Sequence, residues 1–132
     1  MSVISGLITG GWNALRMTVS ARTFASLPSA DTEVSAADRH AVDLTHARQA
    51  SIVAHVQTAG TTGVACIQYT LDNASWFDLT NTISLASTGL KKSAVMVIPL
   101  AARTLVTLRL IGRNGNGVES PAVLSGVSVE LM

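Results

Sequence analysis

Apolar and polar residues alternate with a period of two along four stretches of the chain, which predicts half-buried β-strands. Val106, Leu108 and Leu110, for example, alternate with polar side chains. Val, Ile and Thr together supply 35 of the 132 residues, and their branched side chains suit pleated strands. Residues 40–44 and 90–98 predict two further strands. The four alternating stretches are residues 51–57, 64–71, 105–111 and 127–131.

Short polar segments rich in Gly, Asn and Asp separate these strands and predict tight turns. No stretch keeps an apolar period of 3.6 residues, so helix is expected only as single turns at residues 36–39 and 100–103. Short strands joined by such turns are typical of antiparallel sandwiches and barrels. The sequence therefore predicts an all-β fold, an antiparallel two-sheet β-sandwich formed by residues 42–132. The turn segments are residues 59–63, 72–73, 87–89 and 113–117.

The first 41 residues follow a different pattern. They contain strand-like fragments at residues 15–19 and 23–24 and a polar link at residues 26–32, but no lasting alternation. Such a segment suits an extended N-terminal arm that docks on another subunit. An edge strand folded onto the chain's own sandwich explains the pattern equally well. The candidate partner contacts in this segment are Ile4, Leu7, Ile8, Trp12, Leu15 and Phe24.

The composition indicates a folded protein with few charges on its surface. Hydrophobic residues make up 48% of the chain and charged residues 13%, which excludes intrinsic disorder. The net charge of +1 gives no indication of a nucleic-acid partner. Few charges, with 14 Ser and 14 Thr, suit a subunit whose surface is largely covered by neighbours. We therefore expect a homo-oligomer.

The N-terminal apolar residues do not form a targeting signal. No Lys or Arg precedes Arg16, and glycines interrupt the apolar run, so a signal peptide is not expected. The run is also too short to cross a bilayer as a helix. The sequence predicts no membrane association and a product made in the cytoplasm of its host.

Histidine and cysteine spacing gives no sign of catalysis or metal binding. His40, His46 and His55 lie 6 and 9 residues apart without the close spacing of metal ligands, so exposed histidines without a catalytic role are expected. Cys66 lies in an apolar strand, where cysteine behaves as a small hydrophobe. No serine elbow, carboxylate pair or phosphate loop is present in the sequence. We predict a non-enzymatic protein that needs no cofactor.

Residues 68–79 form the most distinctive segment. A strand that ends near Leu71 meets an Asp72–Asn73 turn, and the chain returns with Trp76. The segment resembles the Asp-box hairpin, although its loop is one residue shorter and Ala74 replaces a glycine. An Asp box is a structural turn, so the resemblance does not indicate any enzymatic or binding activity. Trp76 is expected to fill the core, and a sugar-stacking platform is the alternative.

Four short segments together form a layout that resembles small β-sandwich capsid decoration, or cement, proteins of tailed bacteriophages. The resemblance implies a jelly-roll-like subunit, commonly trimeric, on the exterior of the virion capsid at threefold positions. Its partners would be the major capsid protein or other virion subunits, and it would stabilise the shell against DNA pressure without catalytic residues. The segments are residues 42–45, 68–76, 98–103 and 108–112, and the resemblance covers residues 42–132.

Two other functions remain open from the sequence. One is a carbohydrate-binding tail or baseplate adhesin domain, which glycan binding would identify. The other is a bacterial β-sandwich of unrelated role, which would not associate with phage particles.

Overall fold

The computed structural model describes residues 31–33, 36, 39–60, 62–113 and 122–132 with their side chains, and the backbone of three further short strands near the N-terminus. Regular structure in these residues is almost entirely β-strand. A 3-10 turn at Leu100–Ala102 confirms the helical turn predicted there. The strands are β1 (Val3–Ser5), β2 (Asn13–Arg16), β3 (Arg22–Phe24), β4 (Thr32–Glu33), β5 (His40–Asp43), β6 (Gln49–Thr58), β7 (Val64–Thr70), β8 (Phe77–Asp78), β9 (Ile83–Ser84), β10 (Gly89–Lys92), β11 (Met96–Val97), β12 (Leu105–Arg113) and β13 (Ala122–Leu131).

The described strands form two sheets. The seven-stranded sheet has the order β1-β5-β12-β7-β8, with β4 also paired to β12 and β9 to β7. The six-stranded sheet has the order β10-β6-β13-β2, with β11 also paired to β6 and β3 to β13. All these pairs are antiparallel except β1 with β5. The predicted antiparallel two-sheet β-sandwich is confirmed.

The hydrophobic core lies between the two sheets. Every second residue of the long strands β6, β7, β12 and β13 points into it, as the alternation predicted. Leu108 and Leu110 of β12 and Ile52 of β6 are examples of its fully buried members. Three buried hydrophobic residues lie outside this interior cluster, namely Ala41, Cys66 and Ile111. Their strand positions place them on the outer face of the seven-stranded sheet.

The strand predicted at residues 90–98 is broken in two. Between β10 and β11, the Ser93 hydroxyl accepts the N–H of Ile52, while the Ser93 N–H donates to the Ile52 carbonyl at 3.0 Å. The side chain of Ser93 therefore replaces a backbone carbonyl in the ladder, and β10 ends just before this residue. Alternation alone does not reveal this exchange, because serine is common on the polar face of a strand.

Strand β13 carries a bulge in its centre. Ser125 pairs with His55 and Ser128 with Val53, so three residues of β13 span two of β6. Gly126 supplies the left-handed backbone that this bulge requires, with φ of +61°. The bulge shifts the alternation by one residue, because Ala122 and Leu124 are buried before it and Val127, Val129 and Leu131 after it.

The N-terminal strands pair within the chain's own sheets. Strand β1 pairs with β5, β2 and β3 pair with β13, and β4 pairs with β12. This is the arrangement of the edge-strand alternative, whereas the division between residues 1–41 and 42–132 stays a prediction. In the described part of the chain, no helix is long and apolar enough to cross a membrane.

Candidate functional site

Three connections of the described chain lie at one end of the sandwich, called here the apolar end. They join β5 to β6, β7 to β8 and β11 to β12. In the seven-stranded sheet, Asp43 at the end of β5 pairs with Leu105 at the start of β12. In the six-stranded sheet, Val97 of β11 pairs with Gln49 at the start of β6. The connection from β5 to β6 bridges the two sheets, because the Leu44 N–H donates to Thr104 and the Arg48 N–H to Met132.

Exposed apolar side chains concentrate at the apolar end. Eight large hydrophobic residues of the described chain are exposed, and five of them lie here. The other three, Phe77, Leu90 and Val95, lie on or between edge strands. Scattered exposed hydrophobics need no explanation, but a cluster at one end marks a contact surface. The five are Leu71, Val97, Leu100, Leu105 and Met132.

A cavity of about 250 Å³ opens on the outer face of the seven-stranded sheet at the apolar end. Leu71 and Leu105 form its apolar walls, and Thr70 and Thr107 also line it. Thr70 and Thr107 are register partners on β7 and β12, which places the cavity where these strands begin and end. The volume lies below the range of about 300–1,000 Å³ typical of small-molecule pockets. It suits a single apolar side chain.

Two carboxylates lie next to residues that line this cavity. Asp43 is the register partner of Leu105, and Asp72 follows Leu71. Hydrogen bonds from the hydroxyl and N–H of Thr45 lower the pKa of Asp43. The pKa of Asp72 is lowered by the N–H groups of its turn, those of Ser75 and Ala74. The rim of the cavity is therefore negatively charged at neutral pH.

The opposite side of the apolar end is basic. Arg48 is exposed, and its side chain has no partner in the described part of the chain. The Arg103 guanidinium donates only to the Ile98 carbonyl, at 3.2 Å, and Ile98 in turn donates its N–H to the Arg48 carbonyl. These two arginines flank Leu100, which is 79% exposed. We call Val97, Leu100, Arg48 and Arg103 the Leu100 corner.

A second polar arrangement lies beside the cavity on the outer face of the seven-stranded sheet, one outward-facing row further along β12 and β7. Arg109, Gln68 and Asp78 form one row across β12, β7 and β8. The Arg109 guanidinium donates two hydrogen bonds to the Gln68 carbonyl oxygen, at 3.0 and 2.8 Å. The Gln68 amide donates to Asp78 at 2.9 Å. Gln68 is only 2% exposed, so the row is a satisfied polar network rather than an open site.

Residues 31–33 are tied into this network by ion pairs. Asp31 accepts hydrogen bonds from Arg113 at 2.7 Å and from Gln68 at 2.6 Å. Glu33 accepts two hydrogen bonds from Arg39, both 2.7 Å, and lies 3.7 Å from Arg109. Three arginines and three carboxylates, the third being Asp78, therefore balance one another on this face. We call the six the arginine clamp.

The clamp shifts the pKa of several of its members. Partial burial raises the pKa of Asp78, but hydrogen bonds from Gln68 and Arg113 outweigh it, so the pKa lies below its usual range. Burial lowers the pKa of Arg109. Hydrogen bonding to Glu33 raises the pKa of Arg39. The shifts of Asp78 and Arg39 both favour the charged form, which suits a structural role.

Trp76 does not fill the core, contrary to the prediction. It is half-buried and lies outside the interior cluster, with its ring centroid 4.2 Å from the Arg109 guanidinium carbon and 5.0 Å from that of Arg39. The ring stacks on guanidinium groups in cation–π geometry. Sequence alternation did not reveal this position, because Trp76 lies in a loop. Its contacts with two arginines also differ from an open sugar-stacking platform.

Cys66 is buried, as predicted, but its neighbours are charged rather than apolar. Its Sγ lies 3.7 Å from the Asp78 carboxylate and 3.8 Å from the Arg113 guanidinium. Desolvation raises the pKa of the thiol to about 12, and the charge of Asp78 adds to this. The thiol therefore stays protonated and is not an activated nucleophile.

We predict that Cys66 resists thiol-specific reagents in the folded protein. At pH 8, a pKa of about 12 instead of 9.0 leaves a thiolate population about a thousandfold smaller. Reaction with an aromatic disulfide reagent should therefore proceed far more slowly than in the same protein unfolded in guanidinium. Equal rates in the two states would show that the thiol is accessible and ionised in the native fold.

The segment resembling an Asp box forms the predicted turn. The Asp72 carboxylate accepts hydrogen bonds from the N–H groups of Ala74 and Ser75, at 2.9 and 2.8 Å, and from the Thr70 hydroxyl. Asn73 adopts the left-handed backbone, with φ of +61°. The turn places Leu71 at the mouth of the cavity, so its role here is to position a contact residue.

The three histidines do not come together. His46 and His55 are exposed, as predicted, but His40 is half-buried. His40 pairs with Leu108 and so points toward the interior, where its Nε2 has no hydrogen-bond partner among the described residues. Within the same residues, no group of three or more His, Cys, Asp or Glu side chains is arranged to hold a metal ion.

The candidate partner contacts of the N-terminal segment stay predictions. Ile4 lies in β1, Leu15 in β2 and Phe24 in β3, where the structure describes the backbone alone. The remaining candidates, Leu7, Ile8 and Trp12, lie outside the described residues.

Comparison with known proteins finds structural likenesses at low sequence identity. No protein-family model and no curated protein matches the chain. An enzymatically active domain of tailspike protein 4 from bacteriophage CBA120 matches with 10% identity and a TM-score of 0.44. The match covers 93% of the present chain but only 20% of the tailspike chain. A CBM35 from Cellvibrio japonicus Abf62 matches with 10% identity and a TM-score of 0.40, over 92% of this chain and 93% of that one. Neither likeness bears on the activity of this chain.

Proposed function

We propose that the protein is a structural subunit of a tailed-phage virion that decorates and reinforces the capsid through protein–protein contacts. The observation that carries the proposal is the apolar end, where Leu71, Leu100 and Leu105 are exposed together. Contact surfaces that stay covered in an assembly are the ordinary reason for such clustering. The arginine clamp pairs internally, which leaves the apolar end as the described surface best suited to a partner.

A decoration subunit stabilises a shell by mass action. A ligand that binds only the assembled state stabilises it by RT ln(1 + [L]/Kd), about 2.7 kcal/mol per site at a hundredfold excess over Kd. A capsid offers many equivalent sites, so the summed effect is large without any strong single contact. No His, Asp or Cys side chain is then individually indispensable for function.

The proposal predicts that DNA-filled heads assembled without this protein break at lower temperature and are more sensitive to chelators. Adding the purified protein should restore resistance, and the added protein should sediment with the heads. The triple variant Leu71→Asp/Leu100→Asp/Leu105→Asp should neither bind nor protect, because it places charge on the apolar end. The matched control is Leu90→Asp, which alters a residue 74% exposed on β10 and should protect like wild type.

Two results would decide against capsid reinforcement. Heads of equal stability with and without the protein, together with no protein bound to them, would overturn the proposal. Specific binding on a glycan array that is lost in Trp76→Ala would instead support the carbohydrate-binding tail or baseplate adhesin.

A further inference from the structure

The two faces of the apolar end differ in shape and charge. The cavity between Leu71 and Leu105 opens on the outer face of the seven-stranded sheet, and Asp43 and Asp72 lie next to residues that line it. The Leu100 corner lies on the side of the six-stranded sheet. Its Val97 alternates with the buried Ile98 and therefore points outward from that sheet.

We propose that the cavity receives the Leu100 corner of a second copy of this chain. Leu100 projects from the 3-10 turn with 79% of its surface exposed, and the cavity is of a size for one apolar side chain. Arg48 and Arg103 of one copy then approach Asp43 and Asp72 of the next. This self-recognition deepens the proposed function and rests on it for its biological purpose, but its geometry is independent of any shell.

Charge complementarity selects a second copy as the occupant. Arg48 has no partner among the described side chains, and Arg103 contacts only a backbone carbonyl. Asp43 and Asp72 are bonded only to groups of their own turns, through Oδ1. Each copy thus carries two arginines with no carboxylate partner among the described residues, and two carboxylates that no described Lys or Arg contacts. Opposite charges across an interface fix register and exclude the like-charged orientation.

The placement of these surfaces determines the kind of assembly. The cavity lies on the outer face of the seven-stranded sheet and Val97 of the Leu100 corner on the outer face of the six-stranded sheet, so one copy contacts its neighbour through different surfaces. Such a heterologous contact generates a closed ring or an open filament, in contrast to a two-fold dimer. Because both surfaces lie at the same end, neighbouring copies stand side by side, which agrees with the homotrimer expected from the sequence.

Light scattering and sedimentation of the purified full-length protein test this contact without any phage head. The wild-type protein should have the mass of a trimer at micromolar concentration. Leu100→Asp removes the corner, and Leu71→Gln/Leu105→Gln removes the apolar walls of the cavity without adding charge. Each variant should weaken self-association by about 30-fold or more, the effect of losing a hot-spot contact. Leu90→Asp should assemble like wild type.

Mixing the two variants provides the sharpest discrimination. The Leu100→Asp variant retains its cavity, and the Leu71→Gln/Leu105→Gln variant retains its Leu100 corner. An equimolar mixture can therefore form one contact, between the two variants, and should give a heterodimer that grows no further. High salt, at which charges are screened beyond about 3 Å, should weaken this heterodimer. A wild-type monomer, a wild-type dimer, unaffected variants or a mixture that stays monomeric would each overturn the proposal. Wild-type trimers that do not bind phage heads would overturn the proposed capsid reinforcement but not the contact between copies.

Discussion

Replacing Leu108 with alanine is expected to lower the free energy of unfolding by about 3 kcal/mol. Leu108 is fully buried at the centre of β12 and belongs to the cluster between the two sheets. Truncation removes its transfer free energy and leaves a cavity that strands paired on both sides cannot close. Strands β5 and β7 hold β12 in register at this residue, because Leu108 pairs with both His40 and Tyr69.

Urea denaturation of Leu108→Ala and wild type measures this effect. The matched control is Leu90→Ala, the same substitution at a residue 74% exposed, which should change stability by no more than about 0.5 kcal/mol. If both substitutions cost the same, Leu108 does not lie in the core and the strand pairing of β12 is wrong.

The second large effect is expected from Arg109→Met, which should cost about 2–4 kcal/mol. The substitution removes both hydrogen bonds to the Gln68 carbonyl oxygen, the ion pair with Glu33 and the stacking on Trp76. Gln68 is almost fully buried, so its carbonyl oxygen is left without the donors that compensate for its desolvation. Methionine keeps most of the volume, which separates this loss from a packing defect.

Two comparisons make this measurement specific to the clamp. Lys92→Met removes an exposed ion pair with Glu130 and should cost less than about 1 kcal/mol. Gln68→Met should cost less in the Arg109→Met background than in wild type, because the two side chains share hydrogen bonds. Additive effects of the two substitutions would show that Arg109 and Gln68 do not interact.

The arginine clamp also explains how the N-terminal segment meets the sandwich. Asp31 and Glu33 precede the predicted boundary at residue 42, yet they bond to Arg113 and Arg109 of β12. Asp31 lies in the polar link and Glu33 directly after it, a position that predicted a solvent-exposed connection rather than residues bonded to the sheet. The composition of the link therefore concealed the residues that join it to the sheet.

The sequence by itself determined the fold class and the four long strands. Period-two alternation reports which side chains are buried, and this depends only on the neighbours along one strand, so β6, β7, β12 and β13 were predictable. The Asp72 turn was also predictable, since its hydrogen bonds join residues within three positions of one another.

Only the tertiary structure decided which polar side chains meet. Arg109 and Gln68 are both recognisable as polar-face residues, but their contact depends on the register between β12 and β7, residues 41 positions apart in the chain. The same holds for Trp76 on its arginines and for Cys66 beside Asp78. The apolar end arises in the same way, because Leu71 follows β7 whereas Leu100 and Leu105 lie in and after the connection from β11 to β12, and only the folded sheets bring these segments to one end. Contacts between distant strands are set by register and sheet packing, and neither leaves a local pattern in the chain.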